Sequence, residues 1–223
     1  MTMHPLIWYT AYGSNMHATR LGYYLGGGRP PGGRRTYPGC RDPSPPRRTV
    51  GSTLPGGIFF AGESPAWTGG AAFYDRHLPG TAAARSYLVT VSQFSDLAAQ
   101  EMYRPPGTDL DLGPVLERGH VRLGDGRYET MVHAGDLDGH PMITFTAPWS
   151  AREAALNAPA ARYLEMISSG LHEAHSWSPP QIAAYLAGRP GAAGAWTIPR
   201  LTALARRGIE LGMLVAAPDP DGA

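Results

Sequence analysis

The 223-residue chain contains no lysine, because all 19 of its basic residues are arginine. This absence excludes a Walker-type phosphate-binding lysine and a Schiff-base lysine for pyridoxal phosphate. Cysteine is nearly absent as well: Cys40 stands alone, so no internal disulfide can form. A chain without disulfides is typical of a reducing compartment, and we expect a cytoplasmic protein.

Long apolar runs and a strong net charge are also missing. No stretch approaches the ~20 apolar residues of a membrane helix, and residues 1–12 lack the pattern of a signal peptide. The formal net charge is +1, which gives the chain as a whole little attraction for nucleic acid. We therefore expect neither a membrane nor a nucleic-acid partner.

What the chain does contain suits a globular fold with many turns. Hydrophobic residues make up 43% of it, and there are 29 glycines and 22 prolines. The hydrophobic fraction is enough for a core, and the many glycines and prolines predict frequent turns and some long loops. From length and composition we predict one domain over residues 1–216, followed by a flexible tail at 217–223.

Predicted strands dominate the first two thirds of the chain and predicted helices the last third. The strand candidates are 6–12, 57–61, 70–74, 85–91, 127–134 and 140–146. The helix candidates are 93–104 after a Ser92 cap, a helix capped by Asn157, a helix that starts at the Ser178/Gln181 capping box, and 199–211. The Gly- and Pro-rich segment 26–56 is predicted to be a long ordered loop or a short meander. This order predicts an α+β fold, with helices outside a curved sheet or small barrel.

The predicted helix at 93–104 carries a carboxylate in its apolar row. Phe94, Leu97 and Ala98 mark one face, and Glu101 continues that face at i+7. Burial raises a carboxyl pKa, and a glutamate tuned towards neutral pH can serve as a general acid/base. The structural alternative is an inward glutamate that pairs with an arginine of the preceding loop. Two other polar residues of the helix are predicted to point elsewhere: Asp96 and Gln100.

A sharp turn, Tyr12-Gly13-Ser14-Asn15, follows the first predicted strand; we call it the YGSN turn. Gly13 lets the backbone come close to a ligand. The N–H groups of residues 13–15 could then converge on a carboxylate or an oxyanion, with the Ser14 hydroxyl as a further donor. In the structural alternative, Ser14 or Asn15 caps a short helix at 16–25.

Together these segments resemble the γ-glutamyl cyclotransferase superfamily, which includes relatives that act in aminoglycoside antibiotic biosynthesis. Three segments carry the resemblance in family order. Residues 9–15 look like the glutamyl-binding strand and loop, 96–101 like the segment with the catalytic glutamate, and 159–170 like the helix with a substrate-contacting tyrosine. The implied catalytic residue is Glu101, and the implied substrate-binding residues are Tyr9, Thr10, Ala11, Tyr12, Gly13, Ser14, Asn15 and Tyr163.

The resemblance implies a mixed, barrel-like sheet with flanking helices and a reaction on a small γ-glutamyl-type molecule. The substrate's α-amine attacks its own γ-carbonyl, which releases 5-oxoproline and an amine. No metal or organic cofactor is implied. The amine could be a specialised metabolite from which a γ-glutamyl protecting group is trimmed. Two alternatives stay open: amide or acyl transfer to another nucleophile on the same scaffold, and a non-catalytic module that binds an anionic metabolite.

The Arg-rich segment 29–48 departs from the family pattern. It contains six arginines and one acid, which are Arg29, Arg34, Arg35, Arg41, Arg47, Arg48 and Asp42. A solvated loop with local salt bridges is one interpretation. The other is a contact surface for an anionic or bulky substrate, or for an acidic carrier protein.

Overall fold

Eight strands and six α-helices form within residues 5–30 and 35–216, which this computed structural model describes. The strands are β1 (Leu6–Ala11), β2 (Arg48–Pro55), β3 (Gly57–Ala61), β4 (Ala71–Asp75), β5 (Thr81–Thr90), β6 (His120–Arg122), β7 (Thr130–Leu137) and β8 (His140–Thr146). The helices are α1 (Ala18–Gly26), α2 (Val91–Glu101), α3 (Gly113–Arg118), α4 (Ala161–His175), α5 (Pro179–Ala187) and α6 (Ile198–Ala216). None of these helices combines the length and apolar character needed to cross a membrane.

Six strands form one mixed sheet in the order β2-β5-β1-β8-β7-β6. β1 lies near its centre, antiparallel to β5 and parallel to β8. β3 and β4 pair with each other in a separate two-stranded sheet. The predicted α+β class, with a mixed sheet and flanking helices, is confirmed. The sheet is open, however, with β2 and β6 at its edges, so the expected barrel does not close.

The alternation of side chains along β1 decides which residues face α2. Tyr9 packs on Phe94 of α2 and Phe145 of β8, with ring centroids 6.3 and 5.5 Å away. Trp8 and Thr10 point to the other face, because successive strand residues alternate. There the indole N–H of Trp8 donates to the Leu137 carbonyl at 2.8 Å. β1 is therefore buried on both faces, as its apolar sequence predicts.

The prediction for segment 26–56 missed β2. This strand pairs with β5 along its whole length, from Arg48 opposite Leu88 to Pro55 opposite Thr81. Most of its residues are exposed or half-buried, because it is an edge strand. An edge strand needs no alternating apolar pattern, since its partner supplies most of the stabilisation. The sequence therefore carries little signal for it.

Helix α2 starts and ends earlier than predicted. Its cap is Thr90 rather than Ser92, and Thr90 forms a reciprocal capping box with Gln93. The Thr-x-x-Gln spacing that favours this cap is present in the sequence. The helix ends at Glu101 because Tyr103 adopts a left-handed conformation, with φ of +57°.

In the C-terminal third, one predicted helix cap is wrong and one is confirmed. Helix α4 is capped by Ala160, and the Asn157 side chain instead donates to the Gly62 carbonyl at 2.7 Å. Helix α5 starts with the predicted capping box of Ser178 and Gln181.

Asp96 and Gln100 are fully buried, which corrects the expectation that they point away from the core. The ordered segment 35–44 covers this side of α2. The Arg41 backbone N–H donates to Asp96 at 2.8 Å, and the Gln100 amide donates to the Tyr24 carbonyl at 2.9 Å. The helix is thus enclosed on two sides, with Asp96 bonded to the loop and the Gln100 amide N–H bonded to α1.

Gly170 on α4 permits close packing of the helix against the segment that follows β1. A Cβ atom at this position would lie 2.7 Å from Met16 Cβ and 2.8 Å from His17 N. We expect Gly170→Ala to lower the free energy of unfolding by about 1–3 kcal/mol, the usual cost of overpacking. Gly22→Ala is the matched control, because a Cβ in that exposed helical position meets nothing within 4 Å.

The control should raise stability by about 0.5–1 kcal/mol, which is the ordinary gain of alanine over glycine inside a helix. Urea denaturation of both variants measures the difference. Equal stability changes in the two variants would contradict the packing argument.

Candidate active site

A cavity of about 390 Å³ opens where β1, the YGSN turn, α1, the end of α2, β8 and α4 come together. Seven of the eleven tyrosines line it: Tyr9, Tyr12, Tyr24, Tyr37, Tyr103, Tyr128 and Tyr163. Every site residue predicted from the sequence lines this cavity except Thr10. Thr10 lies on the opposite face of β1, where its hydroxyl is 2.8 Å from the Ser86 hydroxyl.

The YGSN turn continues into a short 3₁₀ helix, Ser14–Met16, whose N-cap is Gly13. The Met16 N–H donates to the Gly13 carbonyl at 3.0 Å. The first N–H groups of such a helix lack intrahelical partners, and no side chain caps this one. The short helix of the structural alternative is present as α1, but its N-cap is His17 rather than Ser14 or Asn15. The turn therefore presents backbone donors beside the cavity.

A polar network beneath the turn fixes its position. The Tyr87 hydroxyl donates to the Asn15 carbonyl at 2.8 Å and to the Met16 carbonyl at 3.0 Å. The Arg85 guanidinium donates to the same Met16 carbonyl at 2.9 Å and forms an ion pair with Glu173 of α4 at 2.5 Å. β5 and α4 thus support one side of the turn, and its other side faces the cavity.

Asn15 joins the turn to Glu101. Its side-chain amide donates to a Glu101 carboxylate oxygen at 2.8 Å and to the Tyr9 hydroxyl at 3.1 Å. The Tyr24 hydroxyl also hydrogen-bonds to Glu101. The carboxylate is therefore held by neutral groups. Within the described ranges, no arginine is in ion-pair contact with Glu101, so the structural alternative of a Glu–Arg link is not found there.

Burial raises the pKa of Glu101 above that of an ordinary glutamate. The positive charge of Arg20, the hydrogen bonds from Tyr24 and Asn15, and the charge of Arg35 oppose the increase. The carboxyl side chain is half-buried at the cavity wall. It is therefore both reachable from the cavity and easier to protonate than a glutamate in water.

This raised pKa gives a stability prediction. In the pH range between the ordinary and the raised pKa, the folded chain binds more protons at Glu101 than the unfolded chain does. The free energy of unfolding should therefore fall as pH rises through that range, by about 1.4 kcal/mol for each unit of pKa difference. Glu101→Gln removes this loss, so the variant should gain stability over the parent protein as pH rises through that range.

Urea denaturation of both proteins across that pH range measures the difference. Histidines and other carboxyls affect the two proteins alike, so their contributions cancel. A difference that does not change with pH would contradict the raised pKa.

Arg20 is a cavity residue that the sequence reasoning missed. Its Nε donates to the Ser14 hydroxyl at 2.8 Å, and its Nη2 donates to the Tyr37 hydroxyl at 3.1 Å. The guanidinium also lies over the Trp67 ring, 5.1 Å from its centroid. Arg20 and Tyr24 are spaced i, i+4 on α1 and both line the cavity. That spacing on the helix after the turn was the available signal.

Tyr163 of α4 also lines the cavity. Its hydroxyl accepts from the Ala72 N–H at 3.3 Å, and its ring stacks on Trp67 with centroids 5.5 Å apart. Burial raises its pKa to about 12, so the hydroxyl keeps its proton near neutral pH and can donate it. Gly13 leaves room for this contact, since a Cβ there would lie 3.2 Å from the Tyr163 oxygen.

Comparison with known proteins identifies the architecture around this cavity. A solved structure of a gamma-glutamyl cyclotransferase superimposes with a TM-score of 0.50, over 91% of this chain and 99% of that one, at 13% identity. The chain has the γ-glutamyl cyclotransferase fold. A solved structure of an uncharacterized human protein gives a TM-score of 0.45 over 90% of this chain and 98% of that one, at 16% identity.

Sequence comparison adds a distant relative. The protein named histone deacetylase 5 of Arabidopsis thaliana is 30% identical over 202 residues, which cover 81% of this chain and 30% of that protein. The chain therefore spans less than a third of the relative's length. No family model matches the chain.

Within this fold, the Arg-rich segment divides into two parts. Arg41 forms ion pairs with Asp96 at 3.0 Å and Asp109 at 2.5 Å, and Arg48 pairs with Asp138 at 2.9 Å. These salt bridges reach residues that are distant in the sequence, so they are not the local salt bridges of a solvated loop that one interpretation expected. Arg35 instead lines the cavity. Arg34 lies outside the described residues.

The described residues contain no group of three or more His, Cys, Asp or Glu side chains that could hold a metal ion.

Proposed function

We propose that this protein is a γ-glutamyl cyclotransferase-type enzyme that converts a γ-glutamyl amide into 5-oxoproline and a free amine. One observation carries the proposal: Glu101, the YGSN turn, Arg20 and Tyr163 surround a single cavity. The cavity of about 390 Å³ is large enough for a small ligand of this kind. The fold supports the same class of chemistry but does not by itself specify a substrate.

The charges of the cavity suit the α-carbon end of a γ-glutamyl group. That end carries an ammonium and a carboxylate on one carbon atom. Glu101 is placed to receive the ammonium. Arg20 is the candidate partner of the carboxylate. Its guanidinium interacts electrostatically with Glu101 and donates to the Ser14 hydroxyl. The N–H groups of residues 13–15 then remain for the γ-carbonyl oxygen, where negative charge develops during attack.

In the proposed reaction, Glu101 takes a proton from the α-ammonium, and the freed amine attacks the γ-carbonyl carbon. A carbon–nitrogen bond closes the five-membered lactam, and the bond to the leaving nitrogen breaks. The two protons lost by the α-ammonium both end on the departing amine, so Glu101 is regenerated in its ionised form. The Tyr163 hydroxyl donates a hydrogen bond that keeps the chain folded for attack. No water is consumed.

A set of γ-glutamyl amides tests the proposal. Release of 5-oxoproline, measured by mass spectrometry, is the expected result. If an added amine is instead converted into a new γ-glutamyl amide, the protein is an acyltransferase on the same scaffold. Binding without turnover of any member of the set would favour a non-catalytic metabolite-binding module and overturn the proposal.

A further inference from the structure

A second and larger groove of about 1130 Å³ continues from the mouth of the cavity. Residues of α1, α4, α6 and the 65–68 segment line it. Seven residues line both spaces and mark the junction between them: Arg20, Arg35, Tyr37, Pro65, Ala66, Trp67 and Tyr103. The inner cavity alone has the volume of a small-ligand site, so the outer groove has room for a further part of the substrate.

The outer groove contains two arginines for which the described residues provide no ion-pair partner. Arg35 at the junction donates to the Gln100 carbonyl at 2.8 Å, and Arg162 lies exposed on α4. Neither arginine has an ion-pair contact among residues 5–30 and 35–216. Glu165 also lines the groove, but Arg207 already pairs with it at 3.0 Å. An anionic ligand group would therefore find guanidinium groups that have no ion-pair partner among the described residues.

Tyr103 at the junction occupies a strained backbone position. The Tyr103 and Arg104 N–H groups donate back to the Gln100 and Ala99 carbonyls, at 3.2 and 2.8 Å. This pattern is a Schellman motif, in which the left-handed residue is usually glycine. Tyr103 adopts that conformation at φ of +57° with 61% of the residue exposed. A bulky residue there costs free energy, and such strain clusters at functional sites.

The side chain of Tyr103 forms part of a stack that fixes Arg35. The Arg35 guanidinium lies 4.4 Å from the Tyr103 ring centroid and 4.9 Å from that of Tyr37. Two aromatic faces thus hold one cation at the point where the substrate would pass from the cavity into the groove. This sandwich limits the guanidinium's motion and leaves its remaining N–H groups available.

We propose that the outer groove is the leaving-group subsite, and that it selects an extended amine with an anionic group remote from the nitrogen that is released. This inference rests on the proposed function. Glu101 and Arg20 match the two charges of the γ-glutamyl end, and the γ-amide is neutral. The charges of Arg35 and Arg162 are therefore left for the other half of the substrate.

Two peptides that differ only in charge test the inference: γ-glutamyl-glycyl-glycyl-glycine and its C-terminal amide. Binding to Glu101→Gln is measured by calorimetry, so turnover does not interfere. We expect the acid to bind about two- to fivefold more tightly than the amide, the effect of one partly exposed charge contact. Arg35→Ala and Arg162→Ala should each reduce this ratio. Arg206→Ala, an exposed arginine of α6 that does not line the groove, should leave it unchanged.

Replacing Tyr103 with glycine distinguishes a loss of peptide recognition from a loss of folding stability. Glycine removes the left-handed strain, so the variant should be at least as stable as the parent protein, while the ratio of acid to amide binding falls. Equal binding of the two peptides to Glu101→Gln would overturn the subsite, even if the parent protein released 5-oxoproline from both. Tighter binding of the acid without any 5-oxoproline release would support the subsite and overturn the proposed function.

Discussion

Replacing Glu101 with glutamine is expected to lower kcat by about 10²–10⁴-fold with little change in the fold, because general acid/base catalysis contributes that much. Glutamine keeps the size of the side chain, and its carbonyl oxygen can still accept the hydrogen bond that Asn15 donates to Glu101 at 2.8 Å. It cannot accept a proton from the α-ammonium. The geometry of the cavity should therefore survive while proton transfer is lost.

The matched control is Glu129→Gln, since Glu129 is the other glutamate that lines the cavity. Its carboxylate already accepts from the Gly126 N–H at 2.8 Å and pairs with Arg104. We expect its kcat to fall by less than about tenfold, because an engaged carboxylate is a poor proton carrier. Steady-state release of 5-oxoproline, with circular dichroism to verify folding, distinguishes the variants. Full activity in Glu101→Gln, or equal losses in both, would contradict the role assigned to Glu101.

The position of Glu101 was predictable because it depends on local geometry alone. A residue seven positions after Phe94 on a helix lies on the same face, and Phe94 packs on Phe145, whose ring centroid is 4.7 Å away. The YGSN turn was predictable for a similar reason, since glycine directly after a buried strand marks a sharp turn. Predicting these two features requires only the sequence pattern of a single helix or strand.

Other parts depend on partners that are distant in the sequence. β2 forms because β5 supplies a neighbouring edge, and its own residues lack an apolar pattern. The burial of Asp96 depends on Arg41, which is 55 positions away. The open sheet follows from which strands pair, and strand order is not encoded in any one segment. Sequence patterns identify elements more readily than they identify such pairings.

Within the site, the role of Arg20 also depends on partners that are distant in the sequence. An arginine on a short helix is usually solvated, and its i, i+4 spacing from Tyr24 does not by itself place it in a cavity. Its environment is built by Ser14, Tyr37 and Trp67, which come from three separate segments. Only their convergence shows that the guanidinium faces the same space as Glu101.

Arg20→Gln is accordingly expected to lower kcat/KM by about 10–100-fold, the range for losing a hydrogen bond to a charged group. The substrate carboxylate would lose its cationic partner. The variant should also shift the pH dependence. Arg20 is the strongest of the groups that favour ionised Glu101, so its loss raises the carboxyl pKa further. Because the reaction needs ionised Glu101, the acidic limb of the kcat/KM profile should move to higher pH.

Arg127→Gln is the control that tests whether this shift is specific to Arg20. Arg127 lines the same cavity and donates to the Glu63 carbonyl. It is not among the main influences on the pKa of Glu101. Its replacement should therefore leave the acidic limb in place, whatever it does to the rate. An unchanged pH profile in Arg20→Gln, or an equal shift in Arg127→Gln, would show that Arg20 does not control the ionisation of Glu101.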